Sequence, residues 1–252
     1  ISCDRNRFMI RFEILTLFPD FFKGPLSESI LNRACEKRLI DIRIINIRDF
    51  TADKHHVADD YPYGGGAGMV MKPEPIAKAI CSLKEESPQP RVIFLTPQGK
   101  PFTQQRAREL AQLERIVLLC GHYEGIDERV RMRHVDEEIS IGDYVLTGGE
   151  APALIVLDAV ARMVPGVLGN EDSFRNDSFY EGILDYPHYT RPEEFEGDRV
   201  PETLLSGHHK KIEEWRRREA LARTLRVRPD LLEHAPLSEE DHRILNELRK
   251  LG

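Results

Sequence analysis

Long apolar runs are missing from this 252-residue chain, although 40% of its residues are hydrophobic. No stretch approaches the roughly 18 consecutive apolar residues that a membrane-spanning helix needs. Cysteine is scarce and scattered, since Cys3, Cys35, Cys81 and Cys120 form no C-x-x-C pair. This spacing argues against a disulfide framework and a thiolate zinc site, and it is typical of a protein in the reducing cytoplasm.

Two nucleotide-binding signatures are also absent. The chain contains neither a G-x-G-x-x-G between a strand and a helix nor a G-x-x-x-x-G-K-[ST]. The stretch PYGGGAGM at residues 62–69 is superficially similar to a phosphate loop, but no clear strand precedes it and Lys72 follows too late. The sequence therefore argues against a nicotinamide dehydrogenase and against binding of a nucleoside triphosphate.

The net charge of −7 is unfavourable for a nucleic-acid partner, which needs clustered Lys and Arg side chains. The charge is uneven, however. Between Lys210 and Arg228 lie eight basic residues, three glutamates and Trp215, the only tryptophan. A basic helix with an aromatic residue is typical of phosphate-backbone binding. A solvated helix face with Trp215 packed inward explains the same pattern, and the sequence leaves both interpretations open.

Hydrophobic periodicity predicts strands that alternate with helices, and then a helical region. Strands are predicted at 12–18, 40–47, 91–95, 116–120 and 138–141, and helices at 21–38, 73–84, 103–113 and 151–163. Such alternation indicates an α/β fold with a mostly parallel sheet covered on both faces. After Pro165 the strand signals disappear, and helices are predicted at 208–225 and from Ser238, where S-E-E-D forms a capping box.

These patterns divide the chain into four parts. Residues 1–8 are polar and basic, and we interpret them as an expression remnant ahead of a native start at Met9. Residues 9–168 form the predicted α/β domain, and the polar residues 169–179 form a flexible linker. Residues 180–252 form a small helical domain.

Three glycine-containing loops follow predicted strands: LTPQG (95–99), CGHYEGIDERV (120–130) and SIGDYVLTGGE (140–150). In an open parallel sheet, ligands bind beyond the carboxyl ends of the strands. A pocket lined by backbone N–H and C=O groups suits an adenine and a ribose, whose edges need neutral hydrogen-bond partners. Taken singly, each glycine is more typical of a tight turn.

Taken together, the segments resemble one family. The series runs through LFPDFF, RDFTADKHH, DDYPYGGGAGM, the three loops, VPGVLG, DYPHYTRP and LLSGHHKKIEEWR, from Met9 towards the C-terminus. In this order they are similar to the tRNA (guanine-N1)-methyltransferases, the TrmD family of the SPOUT class. The resemblance implies a homodimer with shared active sites, whose catalytic domain at 9–168 contains a deep trefoil knot. It also implies that the domain at 180–252 binds tRNA.

The resemblance implies that the three loops hold S-adenosylmethionine. The implied cofactor-binding residues are Leu95, Thr96, Pro97, Gln98, Gly121, Tyr123, Glu124, Gly125, Ser140, Ile141, Gly142, Asp143, Tyr144, Val145, Leu146, Gly148 and Gly149. Thr96 replaces a serine of some relatives and keeps the hydroxyl. The implied residues for the target base and the tRNA backbone are Asp59, Gly64, Gly65, Gly68, Lys210, Arg216 and Arg217.

The implied reaction is methyl transfer to N1 of the guanosine immediately 3′ of the anticodon. Guanine N1 carries a proton at neutral pH, so a general base is needed. Asp177 matches the family's catalytic aspartate. Asp172 has a similar local sequence, but gap-free alignment from GVLG and from DYPHYTRP selects Asp177. Arg162 matches an arginine that would stabilise negative charge on guanine O6.

A metal site is a further expectation. The resemblance implies that Glu124 and Asp177 hold a magnesium ion, which usually takes one or two carboxylates. The histidine pairs His55–His56 and His208–His209 point in different directions along their elements, so each makes a poor metal site.

Two rival functions stay open at this point. One is a SPOUT methyltransferase that acts on ribose 2′-OH groups or on ribosomal RNA, which would lack PYGGGAGM and NDSF together. The other is a non-catalytic RNA-binding protein, which would have lost Asp177 or the glycine loops. This chain retains all of these segments.

Overall fold

The computed structural model describes residues 9–169 and 177–251. The chain divides into two compact units, Ile1–Asn170 and Glu171–Gly252, and the division falls within the predicted linker 169–179. The predictions for residues 1–8 and for residues 170–176, which include Asp172, lie outside the described residues.

The first unit is built on a parallel sheet. In the described part of the chain its strands are β1 (Ile10–Thr16), β2 (Ile40–Asn46), β5 (Arg91–Pro101), β6 (Arg115–Cys120) and β7 (Glu137–Ser140), in the order β2-β1-β6-β5-β7. All four pairings between them are parallel. A separate antiparallel pair joins β3 (Asp59–Asp60) to β4 (Val70–Met71). The prediction of a mostly parallel α/β sheet is confirmed.

Helices cover this sheet. They are α1 (Lys23–Leu26), α2 (Ser29–Glu36), α3 (Pro73–Lys84), α4 (Gln104–Leu110), α5 (Glu128–His134) and α6 (Glu150–Ala161). The single helix predicted at 21–38 was wrong, because Glu28 is extended (φ −121°, ψ 156°) and separates α1 from α2. Helix α5 was not predicted, since its sequence ERVRMRH is too charged to show an apolar period.

The two faces of the sheet carry separate apolar clusters. Ile14 and Leu118 point to the face that α2, α4 and α6 cover. Their chain neighbours Leu15 and Val117 point to the face that α3 and α5 cover. Because side chains alternate along a strand, a continuous apolar run such as β6 fills both clusters at once.

A buried ion pair lies within the first unit. The Glu13 side chain is fully buried and that of Arg115 is 1% exposed, and the Arg115 Nη2 donates to both Glu13 carboxylate oxygens at 2.9 Å. The Nη1 donates to the carbonyl oxygens of Glu86 and Pro88 at 2.8 Å. The carboxylate and the two carbonyls replace the water that the guanidinium loses on burial. An unpaired charge at this buried position would strongly destabilise the fold.

The second unit is helical, with one small exception. It contains α7 (Glu202–Leu205), α8 (His209–Val227) and α9 (Glu239–Leu251), and α8 and α9 supply Ala220, Leu221 and Leu245 to an apolar cluster that includes Ile183. The expectation that strands end after Pro165 was wrong, since β8 (Glu194–Phe195) pairs with β9 (Asp198–Arg199). Positive φ at both Glu196 and Gly197 is typical of a two-residue hairpin turn, and strands of two residues are too short to show a period.

The start of α9 confirms the predicted capping box. Ser238 Oγ accepts from the Asp241 backbone N–H at 3.1 Å, and the Ser238 N–H donates to the Asp241 carboxylate at 2.8 Å. The same carboxylate accepts from Arg217 of α8 at 2.8 and 2.9 Å. One aspartate therefore both begins α9 and fastens it to α8.

Candidate active site

The first glycine loop lies within β5, and the second and third follow the carboxyl ends of β6 and β7. Together they line a cavity of about 240 Å³ in the first unit. Every residue predicted to bind the cofactor lines it except Asp143, which is exposed. The cavity also includes Phe94, His122, Ile139, Thr147 and Pro152, which were not predicted. His122 and Thr147 could have been predicted from their position in the chain, because each lies between residues that were predicted.

The first loop is a bulge, which corrects the predicted end of its strand at Leu95. Strand β5 continues to Pro101, and Ile139 of β7 pairs with both Leu95 and Lys100. Residues 96–99 therefore protrude from the sheet edge towards the cavity. A Cβ added at Gly99 would lie under 3.0 Å from the Ile139 backbone, so the bulge accepts no larger residue at this position.

The second and third loops touch backbone to backbone. The Gly149 N–H donates to the Gly121 carbonyl at 2.8 Å. A Cβ at Gly149 would lie 2.6 Å from the Cys120 Cα and 2.9 Å from the Gly121 nitrogen. A Cβ at Gly121 would lie 2.8 Å from the ring of Phe94. These glycines are needed because main chain at Gly149 and the Phe94 ring at Gly121 occupy the space that a side chain would fill.

The cavity lining carries little charge. Among the described residues that line it, Glu124 is the one acidic residue, and no Lys or Arg is present. The rest are glycines, apolar side chains, hydroxyls, one amide and His122. A lining of this kind can hold a nucleoside through neutral hydrogen bonds, and it offers no cation to a phosphate.

The residues predicted to receive the target base have different surroundings. Gly68 packs against the second loop, since a Cβ there would lie under 3.0 Å from the Glu124 side chain, and the Glu124 N–H donates to the Met69 carbonyl at 3.0 Å. Gly64 and Gly65 have no atom within 4 Å of an added Cβ, and both have positive φ. Asp59 pairs with Met71 in the small β3–β4 sheet. Gly68 thus lies beside the cavity.

A buried polar cluster lies beneath the third loop, and sequence reasoning missed it. The Thr16 hydroxyl donates to the Glu150 carboxylate at 2.7 Å, and both side chains are buried. A Cβ at Gly148 would lie under 3.0 Å from the side chains of Glu150 and His122. Burial, followed by the nearby charge of Glu150, raises the pKa of the Cys120 thiol well above its usual range. The cysteine is therefore protonated and serves the core.

The three residues with predicted catalytic roles fall in both units. Glu124 and Arg162 belong to the first, where Arg162 is the half-buried C-cap of α6. Asp177 belongs to the second unit and lines a cavity of about 290 Å³ there with Glu181, Asp185, Glu213, Arg216 and Arg217. The structure does not unite the three within one unit, and their roles remain predictions.

The basic residues predicted to contact RNA differ in their surroundings. The Lys210 side chain is 90% exposed and lies 3.9 Å from Glu214. The Arg216 guanidinium lies 5.0 Å from the ring centroid of Tyr186. Arg217 bridges Asp241 and Glu181, and this guanidinium holds the pKa of the Asp241 carboxyl well below its usual range. Arg217 therefore has a structural task whether or not it contacts RNA.

Within residues 9–169 and 177–251, no three His, Cys, Asp or Glu side chains are grouped so as to hold a metal ion. The magnesium site at Glu124 and Asp177 stays a prediction. Over the same described ranges, none of the helices combines the length and the apolar character that crossing a membrane requires.

Fold and site together define an α/β domain with a glycine-containing cavity of nearly uncharged lining, followed by a helical unit whose longest helix, α8, is basic. A family model described as tRNA (Guanine-1)-methyltransferase TrmD matches residues 10–234. The chain therefore belongs to the TrmD family of tRNA (guanine-1)-methyltransferases, enzymes that depend on S-adenosylmethionine.

Individual relatives agree over nearly the full length. A tRNA (guanine-N(1)-)-methyltransferase of Desulforamulus reducens is 59% identical over 244 residues, which cover 96% of each chain. Proteins of the same name from Geotalea uraniireducens and Dictyoglomus turgidum are 58% and 56% identical, over 96% of this chain and 98% of each relative.

Proposed function

We propose that this protein transfers a methyl group from S-adenosylmethionine to N1 of the guanosine immediately 3′ of the anticodon of cytoplasmic tRNA. The observation that carries the proposal is the glycine-lined cavity at the strand ends of a chain that belongs to the TrmD family. Its near-full-length relatives are named for guanine N1 methylation of tRNA.

The donor fits the cavity on three counts. Gly121, Gly148 and Gly149 line the cavity and carry no side chain, so a ligand can approach the main chain there. The lining has no cation, as suits an adenosyl group without phosphates. Glu124 is the carboxylate available to a cationic ligand. S-adenosylmethionine supplies an activated methyl group, and the task of the loops is to orient it, which can contribute a large part of the rate.

Proton removal from guanine N1 is assigned to Asp177 in this proposal. A positioned general base typically contributes about 10²–10⁴-fold to the rate. Arg162 would stabilise the negative charge that develops on O6 when N1 loses its proton. Asp177 begins the described part of the second unit, whereas the cavity belongs to the first. The proposal therefore requires tRNA to engage both units.

Two features of the proposal concern assembly. The first is a deep trefoil knot, which the family resemblance implies and which would involve the second and third loops, in backbone contact at Gly121 and Gly149. The second is a homodimer with shared active sites. Exposed apolar side chains on α6 and on the short 3₁₀ helix Pro19–Phe22 support it, since Ile155 is 47% and Phe21 48% exposed and these two elements pack together.

The remaining parts concern RNA and magnesium. Asp59, Gly64, Gly65 and Gly68 would receive the target base, and Lys210, Arg216 and Arg217 would contact the tRNA backbone. Magnesium would be held by Glu124 and Asp177, since it usually keeps several waters and takes few carboxylates. It would neutralise carboxylate charge near the reacting guanine.

The test is methyl transfer from labelled S-adenosylmethionine to unmodified tRNA, with Asp177→Asn compared with the wild type. We expect label in 1-methylguanosine beside the anticodon, a loss of about 10²–10⁴-fold in the variant, and unchanged binding of S-adenosylmethionine. Asp198→Asn, an exposed position of the same unit, is the matched control. Label in a 2′-O-methyl nucleoside, or full activity of Asp177→Asn, would contradict the proposal.

A further inference from the structure

The segment DYPHYTRP (185–192) has no role in the proposed reaction, yet its side chains form a second cavity of the helical unit. This cavity, the aromatic cleft, has a volume of about 530 Å³, which is within the roughly 300–1,000 Å³ typical of ligand pockets. Its polar and aromatic lining comes from Tyr186, His188, Tyr189, Arg191, Trp215 and Arg216. Its apolar floor is shared by the segment and by helices α7 and α8.

Aromatic rings dominate the cleft. The ring centroids of Tyr189 and Trp215 lie 6.2 Å apart with planes inclined by 58°. The rings of Tyr186 and His188 lie 4.7 Å apart. Tyr189 is 50% exposed, and Trp215 is half-buried and lines the cleft. The two rings form a notch in the cleft and both are partly exposed, so Trp215 is not fully packed inward.

The notch is held in place before any ligand binds. Trp215 lies on the 19-residue helix α8. His188 Nε2 lies 2.8 Å from the Asp185 carboxylate, and the Asp185 N–H donates to the Ser178 hydroxyl at 2.9 Å. The Tyr186 N–H donates to the other oxygen of Asp185 at 2.7 Å. A preorganised aromatic surface loses little entropy when a flat ligand stacks on it.

The charge around the cleft favours an anionic ligand. Arg191 and Arg216 line it, against Glu193 as the acidic residue among its described lining residues. Lys211 lies one helical turn before Trp215 on the same side of α8 and is exposed. Helix α8 as a whole carries seven Lys or Arg residues and three Glu residues. Aromatic faces bordered by guanidinium groups match a base joined to a phosphate backbone.

We propose that the aromatic cleft binds an unstacked nucleobase of the tRNA substrate, with Tyr189 and Trp215 as stacking surfaces and Arg191, Arg216 and Lys211 near its phosphates. This inference rests on the proposed function in that it takes RNA as the substrate. It adds a second base-binding site to the one in which methylation occurs. Stacking tolerates any base, so the site would recognise the opened shape of a loop more than its sequence.

The single tryptophan makes the cleft directly observable. Trp215 fluorescence of the full-length protein is titrated with an unmodified anticodon stem-loop RNA and, separately, with a blunt RNA duplex of equal length. The stem-loop should quench the fluorescence in a saturable manner, because its loop bases can stack on the indole. The duplex should quench little, since its bases are already stacked.

Variants test the stacking itself. Tyr189→Ala should weaken stem-loop binding by about 5- to 150-fold, the usual range for loss of one base–aromatic stack. Tyr189→Phe should retain most of the affinity, because the ring is kept. Phe195→Ala is the matched control, since Phe195 is an exposed aromatic residue of the same unit outside the cleft. In turnover assays, Tyr189→Ala should raise the KM for tRNA and leave the affinity for S-adenosylmethionine unchanged.

The outcomes separate this proposal from the proposed function. Wild-type affinity in Tyr189→Ala, in an enzyme that methylates guanine N1, would overturn the aromatic cleft alone. Quenching and a Tyr189→Ala defect in a protein without methyl transfer would support the cleft and contradict the proposed reaction. Equal quenching by the stem-loop and the duplex would overturn the proposal of an unstacked base.

Discussion

The cavity of the first unit and the aromatic cleft of the second present their binding groups in different ways. The cavity is formed by loops whose main chains touch, as at Gly149 and Gly121, and many of its lining residues are glycines. The cleft is formed by large side chains, including Tyr189 and Trp215, projected from a helix and an irregular segment.

This difference suits different ligands. A cavity with walls of main chain has a shape set by the sheet and can follow the outline of one small molecule closely. A cleft with walls of aromatic side chains can receive any base, because each base has a π-face. We therefore expect the cavity of the first unit to be selective for one ligand and the cleft of the second unit to accept any base. The predictions below test this contrast, from the largest expected effect to the smallest.

The sheet that supports the cavity should depend on its buried ion pair. Glu13→Gln removes the charge that compensates Arg115 and should lower the free energy of unfolding by about 3–5 kcal/mol, the range for breaking a buried pair. Urea unfolding followed by circular dichroism measures this. Glu114→Gln, at an exposed position one residue before Arg115, is the control and should change little. Equal stability of the two variants would show that Arg115 can be rehydrated.

Addition of one methyl group should disrupt the shape of the cavity. Gly149→Ala places a Cβ under 3.0 Å from backbone atoms of Cys120 and Gly121, which cannot rotate away. We expect S-adenosylmethionine binding to weaken by about 100-fold, which corresponds to the upper end of the usual cost of overpacking. Isothermal titration calorimetry measures the affinity. Gly24→Ala, with no atom within 4 Å of the new Cβ, should bind as the wild type does.

The helix pair that carries the cleft should depend on Asp241 and on pH. Arg217 holds the pKa of Asp241 below its usual range, so the carboxylate stabilises the folded unit fully above the unfolded pKa of about 3.9. That stabilisation is lost as the pH falls through the lower folded-state pKa. Asp241→Asn should therefore cost about 1–3 kcal/mol at pH 7, including the loss of the helix cap.

The pH dependence is the sharper half of this test. The difference in unfolding free energy between wild type and Asp241→Asn should shrink as the pH is lowered below about 3.9. Asp230→Asn is the control, because its pair with Arg228 is exposed and worth little. A difference that stays constant down to the acid limit would contradict the role assigned to the Arg217–Asp241 pair.

Side-chain truncation in the cavity should have the smallest effect. Val145 lines the cavity but is 84% exposed, so Val145→Ala removes little packing. We expect the affinity for S-adenosylmethionine to change by no more than about twofold, the usual range for surface substitutions. The same calorimetric titration measures it. A loss of affinity as large as that of Gly149→Ala would show that side chains shape the cavity, and it would contradict the contrast between cavity and cleft.

Much of the fold could be predicted because it is local. Pro73 opens α3 and the apolar period ends at Lys84, and the structure has these bounds. The alternation in IDIRIIN predicted β2 within one residue. Several elements that were missed lack a local signal: α5 has five charged or histidine side chains among its seven residues, and β3, β4, β8 and β9 have two residues each.

The candidate site could likewise be predicted only in part. Glycines after strands marked the three loops, and all the predicted cofactor-binding residues but Asp143 line one cavity. The pattern could not assign Glu150 to a buried hydrogen bond with Thr16, because the partners are 134 residues apart. Nor could it show that Trp215 and Tyr189 share a cleft.

What the sequence by itself determined is the order and type of most elements and the capping box of α9. These depend on hydrophobic period, turn chemistry and short-range hydrogen bonds, which a local stretch of chain expresses. What only the tertiary structure decided is which distant groups meet: Gly149 with Gly121, Glu13 with Arg115, Arg217 with Asp241. Such contacts depend on how elements pack, and packing is a property of the whole core that no single segment encodes.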